Sequence, residues 1–216
     1  MPLWLVLFFF IIMGEGLAQS TTFKYLALGD SYTIGESVTE PERWPNQLAT
    51  LLSSGGVEIK VSFIATTGWR TDNLIHAIDM AKVKEEFDLV SLLIGVNNQY
   101  QGKSSDQYAI EFEELLKISI RLARGERENV FVVSIPDYGF TPFGQKNQSG
   151  ISREIDLFNE VNEKITNQYH IKYFNITNIS RRGISEPSLV AADGLHPSGK
   201  MYALWVQQMA KEITLK

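Results

Sequence analysis

The sequence predicts one α/β domain, a three-layer α/β/α sandwich around a central, mainly parallel sheet of five strands. Apolar runs alternate with longer amphipathic stretches about five times, a pattern typical of βα units in a parallel sheet. The run Leu89–Ile94 is apolar except for one serine, as expected for a strand that is covered on both faces. No internal repeat, low-complexity tract or long linker interrupts this alternation, so residues 19–216 are predicted to form a single domain.

Five strands are predicted from short apolar runs that are bounded by glycine, proline or polar residues. They are Phe23–Leu28, Glu58–Ile64, Leu89–Ile94, Asn129–Ile135 and Ile171–Ile176. In sheets of this kind, ligands bind at the carboxyl ends of the strands. The residues that directly follow each strand are therefore the first candidates for function.

Five longer helices are predicted from apolar residues that recur at helical spacing, as Leu74, Ile75 and Ile78 do. The helices are Trp44–Ser53, Thr71–Val83, Ser105–Arg124, Arg153–Tyr169 and Ser198–Ile213. The stretch Pro136–Gly150 is rich in glycine, proline and aromatic residues and is predicted to be a loop.

Composition narrows the class of substrate and the chemistry. The chain has 216 residues and a formal net charge of −5, so it has no general electrostatic attraction to nucleic acid or anionic lipid. We therefore expect no nucleic-acid partner and favour a small uncharged substrate. The absence of cysteine from the sequence excludes thiol nucleophiles, cysteine-ligated zinc and disulfides.

Residues 1–18 are predicted to be a signal peptide, which directs the protein to the periplasm or out of the cell. Leu3–Met13 is an apolar run of 11 residues, too short for an ordinary membrane span. In the following Gly16-Leu17-Ala18, Gly16 and Ala18 are small residues at the two positions that a signal peptidase reads. An uncleaved N-terminal membrane anchor is the alternative, since no Lys or Arg precedes the run. After cleavage no stable membrane anchor is expected.

Ser31 follows the first predicted strand within the segment Gly29–Gly35. A serine in such a glycine-flanked turn is held at the edge of the sheet with its hydroxyl exposed, and its backbone N–H can point into the site. The same residue can also serve as a helix cap or a turn residue. The segment is not the G-x-S-x-G elbow of α/β-hydrolases, because Thr33 stands two positions after Ser31.

The second and third strands are followed by two further candidates. Gly68 lets the backbone approach a ligand and donate its N–H, although a plain turn glycine is the alternative. Asn97 offers a side-chain NH₂ donor, although an Asx turn is the alternative.

The segment Asp193–Ser198 holds one of only three histidines in the sequence. Asp193 precedes His196 by three positions in a turn that contains glycine, so its carboxylate can reach the imidazole Nδ1–H and leave Nε2 free as a base. The alternative is that both residues cap local structure. His76 and His170 lie in or beside predicted helices and are interpreted as surface or packing residues.

Taken together, these stretches resemble the SGNH (GDSL-type) hydrolase superfamily in order, spacing and placement after successive strands. The segments are GDSYTIG with Ser31, TTGWRT with Gly68, GVNN with Asn97 and DGLHPS with Asp193 and His196. Two positions depart from the usual pattern: Tyr32 replaces a common leucine, and Asn98 replaces a common aspartate.

The resemblance implies a flavodoxin-like fold and a serine esterase or lipase that acts on carboxylic esters without metal or organic cofactor. Ser31, Asp193 and His196 would be the catalytic triad. The backbone N–H groups of Ser31 and Gly68 and the side chain of Asn97 would form the oxyanion hole.

The substrate remains open between acyl-lipid esters and carbohydrate esters, the latter implying an O-deacetylase. A non-catalytic binding module with this fold is a further alternative. Aromatic residues near the predicted strand ends are candidates for the pocket wall. The main candidates are Tyr32, Trp69, Tyr100 and Tyr138, with Trp44, Phe140 and Phe143 as further ones.

Overall fold

The computed structural model describes residues 22–53, 57–84 and 86–215. The predicted signal peptide, residues 1–18, lies outside the described residues. Within the described ranges, no helix combines the length and the apolar character that a membrane crossing requires.

The central sheet has five strands, all parallel, in the spatial order β2-β1-β3-β4-β5. The fold predicted from the sequence is confirmed. The strands are β1 (Thr22–Gly29), β2 (Glu58–Ala65), β3 (Leu89–Leu93), β4 (Val130–Val133) and β5 (Lys172–Phe174). Every residue of β3 and β4 is buried, whereas the edge strands β2 and β5 are more exposed.

Eight α-helices accompany these strands in the described parts of the chain. They are α1 (Ser31–Ile34), α2 (Trp44–Leu52), α3 (Thr71–Ala81), α4 (Val96–Tyr100), α5 (Ser105–Leu122), α6 (Gln148–Gln168), α7 (Thr177–Ser180) and α8 (Gly199–Met209). Across the sheet, β2 lies on one side of β1, and β3, β4 and β5 follow one another on the other side. Right-handed crossovers therefore put α2 on one face and α3, α5 and α6 on the other, and α8 packs against α2.

Several boundaries differ from those predicted. Helix α6 begins at Gln148, so the end of the predicted loop Pro136–Gly150 is helical, and the predicted start at Arg153 was too late. Strand β5 is shorter than predicted. The short helices α1, α4 and α7 were not predicted, because four or five residues cannot show a helical period. Two of these short helices, α1 and α4, carry candidate site residues.

Candidate active site

Ser31 is the first residue of helix α1, directly after the carboxyl end of β1. Asp30 caps this helix, since its Oδ1 accepts a hydrogen bond of 3.0 Å from the backbone N–H of Tyr32. Gly35 ends the helix in the left-handed conformation, with φ of 72°. The N–H of Ser31 has no partner within the helix because it belongs to the first turn. A four-residue helix thus holds both the hydroxyl and the N–H of Ser31 at the strand end.

Asp30 is fully buried beside the serine. Burial raises the pKa of its carboxyl to about 7, although the hydrogen bond from the N–H of Tyr32 acts in the opposite direction. Its Oδ2 atom has no hydrogen-bond partner among the described residues. Asp30 is therefore a structural cap whose protonation changes within the physiological pH range.

Asp193 and His196 are hydrogen-bonded within one turn, as predicted from their spacing. His196 Nδ1 lies 2.5 Å from Asp193 Oδ2. The backbone N–H groups of Leu195 and His196 donate to the other oxygen, Oδ1, at 2.9 and 3.0 Å. A single carboxylate therefore organises the whole turn that carries the imidazole.

The ionisation of Asp193 determines the tautomer of His196. Partial burial acts to raise the pKa of Asp193, but hydrogen bonds from His196, from Ser37 and from two backbone N–H groups hold it well below its usual range. An ionised carboxylate only accepts hydrogen bonds, so Nδ1 of His196 carries the proton. Nε2 of the neutral ring is then unprotonated and available as a base.

Gly68 and Asn97 follow β2 and β3 on neighbouring loops. Gly68 is exposed with φ of 83°, a conformation that favours glycine, and a Cβ there would contact nothing. Backbone conformation, not space, explains glycine at this position. Asn97 lies in α4, and its Nδ2 donates one hydrogen bond of 3.0 Å to the backbone oxygen of Trp69. The second hydrogen on Nδ2 is left for another acceptor.

One cleft of about 180 Å³ brings the candidates together. Its lining includes Ser31, Gly68, Asn97 and His196. The structure records no hydrogen bond between the side chains of Ser31 and His196 among the residues it describes. In unliganded enzymes, catalytic hydrogen bonds are often long and shorten only when substrate binds.

The wall of the cleft is apolar and aromatic. Tyr100, Tyr138 and Phe143 form a cluster in which each pair of ring centroids is 6.2 Å apart. The remaining lining residues are Tyr32, Thr67, Val96 and Leu195. Aspartate, glutamate, lysine and arginine are all absent from the described lining.

Comparison with known proteins identifies the family. The sequence model of the GDSL-like lipase/acylhydrolase family matches residues 27–204. The chain belongs to this family. It is therefore a hydrolase of ester bonds, and the resemblance inferred from the four sequence segments is confirmed.

One curated relative and two solved structures are similar to this chain. An arylesterase from Vibrio mimicus is 24% identical over 212 residues, which cover 97% of this chain and 95% of the relative. The structure of a lipolytic G-D-S-L family protein from Veillonella parvula has a TM-score of 0.68 at 17% identity, covering 89% of this chain and 98% of its own. The structure of an acetylxylan esterase from Geobacillus stearothermophilus has a TM-score of 0.66 at 19% identity, covering 90% of this chain and 95% of its own. The two structures share the fold with this GDSL-family chain.

Asn98, which departs from the usual family pattern, joins the loops of the proposed oxyanion hole. Its Oδ1 accepts from the backbone N–H of Thr71 at 3.1 Å, and its Nδ2 donates to Thr71 Oγ1 at 2.6 Å. The Thr71 hydroxyl in turn donates to Glu111. Arg70 forms a further link from the same loop to Gln101, at the end of α4. The loop with Gly68 and the helix with Asn97 are thus fastened to each other at several points.

The aromatic candidates divide into two groups. Tyr32, Tyr100, Tyr138 and Phe143 line the cleft. Trp69 does not: its side chain packs against the hydrophobic core, and its contribution to the site is the backbone oxygen that holds Asn97. Trp44 and Phe140 also lie outside the lining, Trp44 being fully buried in the core.

Sequence reasoning missed Ser37, which donates to Asp193 Oδ2 at 2.7 Å. The two residues are 156 positions apart, and no local pattern links them. His76 and His170 are both exposed and outside the cleft. Metal-ligating side chains form no cluster of three or more within the described parts of the chain.

Proposed function

We propose that this chain is a serine esterase that cleaves esters of short acyl groups through an acyl-enzyme on Ser31. The observation that carries the proposal is the cleft shared by Ser31, His196 and Asn97, behind which Asp193 fixes the imidazole. This arrangement supplies a nucleophile, a base with its orienting carboxylate, and a donor for developing negative charge.

The proposed steps assign one role to each of these groups. Nε2 of His196 takes the proton of the Ser31 hydroxyl while Oγ bonds to the ester carbonyl carbon. The negative charge on the carbonyl oxygen is stabilised by the N–H groups of Ser31 and Gly68 and by the free hydrogen of Asn97 Nδ2, each donor contributing about 2.7–4 kcal/mol. The C–O bond to the alcohol then breaks as Nε2 returns the proton to the leaving oxygen. Water removes the acyl group by the same roles in reverse.

The cleft favours small, uncharged substrates. A volume of about 180 Å³ suits a short acyl group and part of an alcohol better than a long alkyl chain. The apolar lining without charged side chains offers no counter-ion to an anionic or cationic substrate. An aryl or other flat alcohol can pack against the cluster of Tyr100, Tyr138 and Phe143.

A carbohydrate O-deacetylase is the second candidate. Tyr100 and Phe143 are 59% and 52% exposed at the cleft wall, and such rings can stack on the flat face of a sugar. The fold shared with an acetylxylan esterase is consistent with this candidate. An acetyl group on a sugar hydroxyl also satisfies the size limit of the cleft.

The first experiment tests the nucleophile. Wild type and Ser31→Ala are assayed with p-nitrophenyl acetate and treated with a fluorophosphonate probe. We expect hydrolysis and covalent labelling of wild type alone, with equal thermal unfolding temperatures for both proteins. Activity of Ser31→Ala equal to wild type contradicts the proposal, and a folded wild type that is neither active nor labelled supports a binding module instead.

The second experiment tests the substrate class with wild-type protein. We compare kcat/KM for p-nitrophenyl acetate, butyrate and laurate, for lysophospholipid and for acetylated xylooligosaccharide. The proposal predicts a steep fall from acetate to laurate. A preference for laurate or lysophospholipid contradicts the short-acyl assignment, and a preference for the sugar ester identifies the deacetylase.

A further inference from the structure

Ser37 stands at the end of the turn that follows helix α1, and its backbone has φ of 65°. Residues other than glycine seldom adopt this left-handed conformation. In this conformation the Ser37 side chain reaches the loop of Asp193. Its hydroxyl donates to Asp193 Oδ2 over 2.7 Å. An uncommon backbone conformation is thus coupled to a contact with a residue of the proposed triad.

The contact completes the hydrogen bonding of the Asp193 carboxylate. Oδ1 accepts from the backbone N–H groups of Leu195 and His196, and Oδ2 accepts from His196 Nδ1 and Ser37 Oγ. A carboxylate has about four acceptor positions, and all four are filled. Three of the donors belong to the same turn as Asp193. Ser37 is the donor from another part of the chain and fixes that turn relative to the rest of the site.

The turn that carries Ser37 is also bonded to the proposed nucleophile. The backbone N–H groups of Gly35 and Glu36 both donate to the backbone oxygen of Ser31, each at 3.0 Å. The Glu36 carboxylate accepts a hydrogen bond of 2.5 Å from the hydroxyl of Thr67, which precedes Gly68. The short segment 35–37 therefore contacts the nucleophile, the loop of Gly68 and the Asp193 turn.

We propose that Ser37 is a positioning residue of the active site, a fourth hydrogen-bonded member that holds Asp193, and through it His196, in register with Ser31. This inference rests on the proposed function and deepens it. Ser37 lies outside the residues that line the cleft, so it acts through Asp193 and does not touch substrate. By donating to Asp193 Oδ2, the Ser37 hydroxyl also reduces the negative charge that this carboxylate presents to the His196 imidazole.

Two readouts follow from this role. Without the Ser37 hydroxyl, Asp193 keeps its three donors from its own turn but loses the donor from the loop after α1. We expect kcat to fall about tenfold, since one hydrogen bond to a charged group is lost at an exposed position. KM is expected to stay within about twofold, because the cleft is unchanged. The uncompensated charge on Asp193 stabilises a protonated imidazole more strongly, so the acid limb of the kcat/KM pH profile moves to higher pH. The other titratable groups around this pair are Tyr32, whose ring packs edge-on against His196 at 5.6 Å between centroids, and Tyr202, whose pKa is raised by burial and by Asp30, Asp193 and Glu36. All of them are left intact in the variants.

The experiment uses Ser37→Ala and Ser37→Gly as a pair. Both variants remove the hydroxyl, but glycine also removes any strain of the left-handed backbone. We expect the same loss of kcat and the same shift of the acid limb in both variants. Ser185→Ala is the matched control, because Ser185 is another exposed serine that donates a hydrogen bond but lies away from the cleft. It is expected to behave as wild type.

The contrary outcomes are distinct. Wild-type kcat in Ser37→Ala overturns the inference. So does a result in which Ser37→Ala loses activity but Ser37→Gly keeps wild-type kcat, because the loss would then come from backbone strain and not from the missing hydroxyl. Loss of kcat in both variants with an unmoved acid limb also overturns it, since that would indicate a general structural defect. Ser31→Ala is assayed in parallel. Its full activity would overturn the proposed function itself, and the role of Ser37 with it.

Discussion

The side-chain nitrogen of Asn97 lies 3.0 Å from the backbone oxygen of Trp69. This hydrogen bond fixes which end of the Asn97 amide is the nitrogen, because only NH₂ can donate to a carbonyl. It also leaves the second N–H hydrogen directed away from Trp69. The amide is therefore oriented before any substrate arrives, which is the condition for efficient stabilisation of an oxyanion.

Replacing Asn97 by alanine removes that oriented donor. We expect kcat for p-nitrophenyl acetate to fall by on the order of a hundredfold or more, with a smaller change in KM, because the oxyanion develops mainly in the transition state. Steady-state kinetics measure both constants. Asn178→Ala, at an exposed position outside the cleft, is the control and should retain wild-type kinetics. An unchanged kcat in Asn97→Ala would exclude this side chain from the oxyanion hole.

Asn98→Ala tests the fastening between the two oxyanion loops. The variant leaves the buried backbone N–H of Thr71 without its acceptor, so the free energy of unfolding should fall by about 1–3 kcal/mol. Asn98→Asp keeps that acceptor but loses the NH₂ that donates to Thr71 Oγ1, and we expect a smaller loss. Urea denaturation monitored by tryptophan fluorescence gives both values. A more stable alanine variant than aspartate variant would contradict this account.

Asp30 predicts a pH dependence of stability. Burial raises its folded-state pKa to about 7 from a usual value near 3.8. Its favourable contribution to the free energy of unfolding is therefore complete at pH values below 3.8 and is lost as the pH rises through 7. The free energy of unfolding of wild type should therefore fall by about 2–3 kcal/mol between about pH 5 and about pH 8, relative to Asp30→Asn. Asp193 has the opposite shift, and its contribution is lost only at lower pH, outside this window.

Denaturant unfolding of both proteins across that pH range measures the difference. Asparagine keeps the oxygen that caps the N–H of Tyr32 but does not ionise, which makes it a matched control for the cap. Parallel stability curves for wild type and Asp30→Asn would contradict a raised pKa for this carboxyl.

Tyr100→Ala and Phe143→Ala test the aromatic wall. Each truncation removes a ring that is expected to contact the substrate, and KM for an aryl ester should rise about 2–10-fold with little change in kcat. Ile110→Ala is the control, since Ile110 is 64% exposed on α5 and lies outside the cleft. If KM is unaffected in both aromatic variants, the alcohol does not bind against this wall.

The fold and the main candidates could be predicted because their signals are local. Apolar runs mark the strands, and Ser31, Gly68 and Asn97 each follow one of them within a few residues. Asp193 and His196 belong to a single turn, so their spacing already implies their contact. Each prediction required only neighbouring residues.

The features that escaped prediction depend on distant contacts or on very short elements. Ser37 meets Asp193 only because the sheet brings the first and last loops together. Trp69 belongs to a strand-end loop, but the direction of its side chain is decided by core packing. The first turn of α6 lacks the apolar repeat that marks the remainder of the helix, so its start at Gln148 had no periodic signal.

Because Ser37 and Asp193 are 156 positions apart, the ribosome adds them to the chain at different times. Ribosomes add about 5–20 residues per second, so roughly 8–30 s of translation separate these two residues. During that interval the nascent polypeptide carries Ser31 without His196, which activates the serine in the proposed mechanism. On that mechanism, a newly made chain does not cleave esters until the Asp193 turn has emerged and packed against the loop after β1.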